Sequence, residues 1–142
     1  MFQRILLAVD PTPLPQRSLD TVTTLAQKFD STVHVLHIAT TAPVGTAVMP
    51  LEDEKEAQQV LDEALAALRD AGVGAEGELL GEFITEVAPA ITAAAERVGA
   101  DLLVLSPHHR SAFAAWFNPR VSDAVSHATH VPVLLLPETD EA

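Results

Sequence analysis

Residues 5–9 read Ile-Leu-Leu-Ala-Val, an unbroken apolar run that ends in Asp10. A strand with one face in water alternates apolar and polar residues; a strand without polar positions has to be covered on both faces. Such a strand belongs at the centre of a parallel sheet with helices above and below it. This run therefore points to an α/β fold before anything else is considered.

The rest of the chain supplies the other layers. Pro11, Pro13 and Pro15 form a rigid turn that cannot continue the strand. Over residues 16–29, Leu19, Val22, Leu25, Ala26 and Phe29 recur at helical spacing. A second strand is expected over 32–38, with His34 and His37 on opposite faces because side chains alternate. Residues 40–50, with Pro43, Gly45 and Pro50, read as a mobile surface loop. A charged helix over 51–71 turns Val60, Leu61, Ala64, Leu65 and Leu68 inward and stops at Gly72. The strand at 75–80 carries Glu76, Gly77 and Glu78, a composition suited to a sheet edge.

Residues 82–98 read as the next helix, in which Pro89 marks either a kink or the start of the regular part. Gly99 precedes a strand at 102–105. Asn118 and Pro119 make an N-cap and first residue for a helix reaching Thr129, and the last strand is 131–136. The β-α-β-α-β-α-β-α-β order implies one domain over residues 1–142, built on a doubly wound open sheet of five parallel strands with helices on both faces. Strand order 3-2-1-4-5 puts the topological switch between the first and fourth strands. A ligand crevice would then lie between Asp10 and Thr12 on one side and Ser106 onwards on the other.

The loop after the fourth strand departs from what a phosphate needs. Phosphate-cradling loops use glycine so that backbone N–H groups can approach the anion, and residues 101–137 contain no glycine. The formal charge of −12 argues against nucleic acid and anionic membrane surfaces as partners. Between Asp101 and Asp123, however, there is no acid, while His108, His109, Arg110 and Arg120 all lie there. The chain has no cysteine, no signal-peptide pattern at its start and no apolar stretch near the roughly 20 residues that span a bilayer. A cytoplasmic protein is the expectation.

The segments I-L-L-A-V-D, V-H-V-L-H-I, A-D-L-L-V-L-S-P-H-H-R-S and V-S-D-A-V-S-H-A-T-H-V-P-V-L-L-L resemble the universal stress protein family over nearly the whole chain. The resemblance implies an adenine nucleotide alpha hydrolase-like α/β domain, commonly a homodimer joined through its last strand. That places Val131, Val133, Leu134, Leu135 and Leu136 at the dimer interface. Nucleotide-binding members carry G-x-x-G-x9-G-[S/T] after the fourth strand. On this chain the three glycines fall on Ser106, His109 and Pro119, and the hydroxyl residue falls on Arg120. Downstream, Val121, Ser122, Val125 and Pro132 keep the family pattern. Asp10 keeps the acid that contacts the nucleoside in relatives, Thr12 keeps a hydroxyl, and Pro11 replaces a common glycine.

Those departures have physical consequences. His109 brings a ring where a phosphate would need open space, and Pro119 removes a backbone N–H at a helix start. Family-type ATP binding is expected to be lost, leaving ATP or AMP only as a residual ligand and no cofactor. Asp10 either binds a ligand or caps the turn through Thr12. His108, His109, Arg110 and Arg120 make either a replacement anion site or a solvated loop. Phe113, Trp116 and Phe117 fill the crevice or cover an interface more readily than they stack on a base. No metal site is expected, because the histidines lack chelating spacing and no cysteine assists. No G-x-S-x-G elbow anchors a hydrolase triad, so no catalytic residue is assigned and a non-enzymatic module is expected.

Overall fold

The computed structural model of the chain describes residues 1–10, 14–106 and 119–136. Among these, six strands form one sheet: β1 (Arg4–Val9), β2 (Thr32–Val44), β3 (Ala47–Pro50), β4 (Gly74–Phe83), β5 (Leu102–Leu105) and β6 (Val133–Leu135). The helices are α1 (Gln16–Phe29), α2 (Glu54–Asp70), α3 (Val87–Val98) and α4 (Pro119–Ala128). No helix among the described residues is long and apolar enough to cross a membrane.

The parallel strands run β4-β2-β1-β5-β6, which is the expected order 3-2-1-4-5. The Ile5–Val9 run is buried, as its lack of polar positions requires. Alternation then divides the core. Ile5, Leu7, Val9, Val33 and Val35 pack under α1 and α2 through Val22, Ala26, Leu61 and Leu68. Leu6, Ala8, Leu36 and Ile38 pack under α3 and α4 through Ile91, Ala94 and Val125.

The sixth strand corrects the expectation of a loop over 40–50. β2 continues to Val44, turns at Gly45 and returns as antiparallel β3, pairing Val44 with Ala47 and Thr41 with Pro50. Gly45 has a φ of +61°, the conformation that a two-residue hairpin asks of glycine at its first central position. The prolines do not break this hairpin. The Thr40 carbonyl faces β3, accepting from the Leu51 amide at 2.9 Å, so alternation turns the missing N–H groups of Pro43 and Pro50 to the outer edges.

This arm also has a definite side. The Thr32 amide donates to Gln3, so the same edge of β2 that meets β1 lower down meets β3 higher up. β3 occupies the lane that β1 vacates after Val9. The arm therefore stands beside the C-terminal end of β1.

Pro89 is the third residue of α3, in the first turn, where its absent N–H has no intrahelical partner to lose. It marks the helix start and no kink. Residues 82–83 extend β4 and Ile84–Glu86 form a short 3₁₀ turn, so the helix is shorter than the 82–98 expected. Similarly, α2 begins at Glu54 instead of 51, and β6 is confined to Val133–Leu135 within the expected 131–136.

Candidate functional site

The sheet reverses its winding direction between β1 and β5, whose pairing runs from Ile5↔Leu102 to Ala8↔Leu105. Asp10 and Ser106 continue these two strands at their C-terminal ends. Both are fully buried. Arg120 lies exposed in the first turn of α4, Ser122 is half-buried two residues further on, and Pro119 is the helix's first residue, as expected. Thr12, His109 and Arg110 lie outside the described residues, as do His108, Phe113, Trp116, Phe117 and Asn118.

β6 pairs with β5 and with no other strand among the described residues, which leaves it at the sheet edge. Of the residues expected at the dimer interface, Leu135 is 53% exposed, whereas Val131, just before the strand, and Val133 and Leu134 within it are half-buried. Leu136 differs from them. It is buried in the chain's own core on the α1/α2 side, and its amide donates to the Leu105 carbonyl at 2.8 Å.

A feature that sequence reasoning missed stands beside this crevice. His37, opposite Val9 in the β1–β2 register, is fully buried. Its Nδ1 lies 2.8 Å from the Val9 carbonyl oxygen, and its Nε2 lies 2.8 and 2.9 Å from the two carboxylate oxygens of Glu52. Glu52 sits between the end of β3 and the start of α2, with its side chain 4% exposed. The only hint in the sequence was a histidine at a position where the strand's other inward residues are valines.

His34, three residues earlier, faces the other side of the sheet. Its Nε2 is 3.1 Å from Glu78, and Arg97 of α3 donates to the same carboxylate. Burial raises the Glu78 pKa, but the hydrogen bonds and charges of Arg97 and His34 outweigh it, holding the carboxyl below its ordinary 4.5. The expected opposite placement of the two imidazoles is what the structure shows. Among the described residues, no group of three or more His, Cys, Asp or Glu side chains could hold a metal ion.

One large cleft accompanies the arm. About 490 Å³ opens between the ends of β2 and β4 and the start of α2, with Ala39, Gly81 and Leu79 along its floor and Pro50 and Asp53 at its rim. Its origin is visible in two glycines on the same face of β4. A Cβ on Gly77 would meet Leu61 Cδ1 at 2.8 Å and the Val35 carbonyl at 3.0 Å, so the helix presses on the sheet there. A Cβ on Gly81 would meet nothing within 4 Å. α2 starts at Glu54 beside the cleft and runs away from Gly81, reaching the sheet at Gly77 through Leu61 and Leu65 and leaving the floor open.

A parallel sheet wound outward in both directions from β1, with a buried acid at the reversal, defines a doubly wound α/β domain of the ligand-crevice type. Within that class, residues 1–137 match the model of the universal stress protein family, and the chain belongs to that family. Among solved structures, a universal stress protein from Archaeoglobus fulgidus is 25% identical with a TM-score of 0.69, over 96% of this chain and 100% of that one. The universal stress protein from Archaeoglobus fulgidus in complex with dAMP is 24% identical with a TM-score of 0.66, again over 96% and 100%. A family member from Burkholderia pseudomallei is 22% identical with a TM-score of 0.69, over 96% of each chain. No curated protein matches the chain.

Proposed function

We propose that this universal stress protein acts as a non-enzymatic, homodimeric regulatory module of the stress response that no longer takes ATP in the family manner. The observation that carries the proposal is the replacement of every motif glycine, by Ser106, His109 and Pro119, with Arg120 at the hydroxyl position. A phosphate at the start of α4 would need the amide that Pro119 lacks. The buried state of Asp10 adds support, since a nucleoside would have to reach a carboxylate that has no accessible surface.

Dimerisation is supported by the edge position of β6 and the exposed Leu135, because an apolar edge strand is a liability unless paired. Light scattering at micromolar concentration should return twice the chain mass. A monomer would sink the dimeric reading. Millimolar Mg-ATP should leave the melting temperature unmoved, and a saturable rise would sink the loss of ATP binding.

A second reading is favoured by the acid-free stretch between Asp101 and Asp123, which gathers His108, His109, Arg110 and Arg120 on an otherwise acidic chain. In that reading the remodelled crevice binds a small anion or nucleotide through guanidinium and imidazole groups in place of glycine amides. The complex of a relative with dAMP is consistent with it. A panel of nucleotides and simple anions should then raise the melting temperature, and Arg110→Ala with Arg120→Ala should abolish the rise. A panel without any shift excludes this reading.

A further inference from the structure

The hydrogen-bond inventory around His37 leaves little freedom. The Val9 carbonyl can only accept, so the Nδ1 that lies 2.8 Å from it carries a hydrogen. Nε2 faces both Glu52 oxygens at nearly equal distances, and that contact also needs a hydrogen between the groups. The even spacing suits an Nε2–H directed between two carboxylate oxygens better than a carboxylic O–H aimed at nitrogen, which would draw one oxygen closer. Either way the pair holds one proton more than a neutral imidazole and a carboxylate. Without that proton, a ring lone pair would confront a carboxylate in a site closed to water.

Glu52 is also the point where the arm rejoins the body of the protein. Above it, β2 and β3 hold each other by the pairs Thr41↔Pro50 to Val44↔Ala47 and by the Leu51–Thr40 hydrogen bond. A hairpin of four residue pairs is marginal by itself, so these bonds fray once its base is no longer held. The contact that ties the arm's return to the end of β1 is Glu52 to His37 to Val9. Beyond it come Asp53 and α2, and the Asp53 side chain makes no capping hydrogen bond.

We infer that His37 and Glu52 form a one-proton latch: the shared proton holds the β2–β3 arm beside the C-terminal end of β1, and loss of that proton releases it. Among the described residues, the titratable groups near the pair are Asp10 at the end of β1, Asp53 and Glu54 at the start of α2, and Glu63 lining the cavity beside Val9. All are carboxylates, and β4 presents Leu79 in register with His37. No lysine or arginine among these groups could take the proton's place between the ring and the carboxylate. The latched form binds more protons than the released form, so withdrawing protons by raising the pH favours release. Release would change what lies beside the C-terminal end of β1, where Asp10 continues the strand.

The test is hydrogen exchange by NMR on the full chain without ligand, expressed as protection factors so that the intrinsic pH dependence of exchange cancels. Amides of residues 41–51 should lose protection on going from mildly acidic to mildly alkaline buffer, by up to about tenfold per pH unit, the slope for one proton. Amides of β5 should not. In ¹⁵N spectra of the latched form, both His37 ring nitrogens should carry hydrogen. Glu52→Gln can donate its amide to a neutral ring, so the arm should stay protected and the pH slope should vanish. Glu78→Gln, which touches the other histidine, should leave the slope intact. Protection in the wild-type arm that is independent of pH overturns the latch, and that measurement requires no variant. A Glu52→Gln protein that keeps the slope overturns it as well.

Discussion

His34 and His37 stand three residues apart on β2, and each meets a glutamate, yet the two pairs occupy different physical worlds. His34 and Glu78 sit on the α3 side with Arg97 as a third member, and their side chains are 15% and 25% exposed. His37 and Glu52 are enclosed on the other face. Water can solvate whatever charge is left over at the first pair. At the second, Glu52 has His37 in place of water, and His37 has Glu52 and the Val9 carbonyl. The same residue types thus give a shared surface network in one place and an all-or-nothing contact in the other.

The sharpest way to break this comparison is to remove one partner from each pair. His37→Ala should strand Glu52 in the core, and Glu52→Ala should strand the ring; each is expected to cost about 3–5 kcal/mol. Urea denaturation followed by circular dichroism measures the loss. Replacing both by leucine should cost less than either single change, because no orphaned polar group remains. Single changes that cost no more than a typical surface substitution would show that water reaches the pair, and the contrast with His34 would disappear.

A second comparison runs along β4 under α2. Gly77→Ala puts a methyl against Leu61 and the Val35 carbonyl, and since backbone cannot retreat, a cost of about 1–3 kcal/mol is expected. Gly81→Ala meets open space and should stay within about 0.5 kcal/mol of wild type. The two denaturation midpoints should separate in that order. Equal costs would mean that α2 approaches the sheet as closely at Gly81 as at Gly77, and the cleft would not be a property of the protein in solution.

These two comparisons also mark what could and could not be read from the chain. The apolar runs at 5–9 and 102–105 placed β1 and β5 at the sheet centre, because a strand without polar positions has few other homes. The parallel strand order followed from helical connections. The β2–β3 arm was hidden by Pro43 and Pro50, which read as breakers until the register shows their missing N–H groups turned outward. The His37–Glu52 contact was hidden in turn, since it depends on that hairpin bringing Glu52 back beside Val9. Gly77 and Gly81 look alike as letters, and only the position where α2 begins separates them. On the crevice, the sequence named Asp10 and Ser106, and both sit at the strand ends flanking the switch.

The smallest expected effect sharpens the first comparison from its exposed side. Glu78→Gln removes a carboxylate held below its ordinary pKa of 4.5, in the face of its burial, by Arg97 and His34. A lowered folded value means stability that is fully present above the unfolded value and is lost as the pH falls through the folded one. At neutral pH the variant should therefore be less stable by about 1 kcal/mol, modest because Arg97 is half exposed and solvent screens the pair. Below pH 4.5 the gap between wild type and variant should shrink, because the wild-type carboxyl takes up the proton that the amide never needs. Urea midpoints for both proteins at neutral and acid pH give the four numbers required. A gap that widened in acid would reverse the sign, and Glu78 would then be a group whose neutral form the fold prefers.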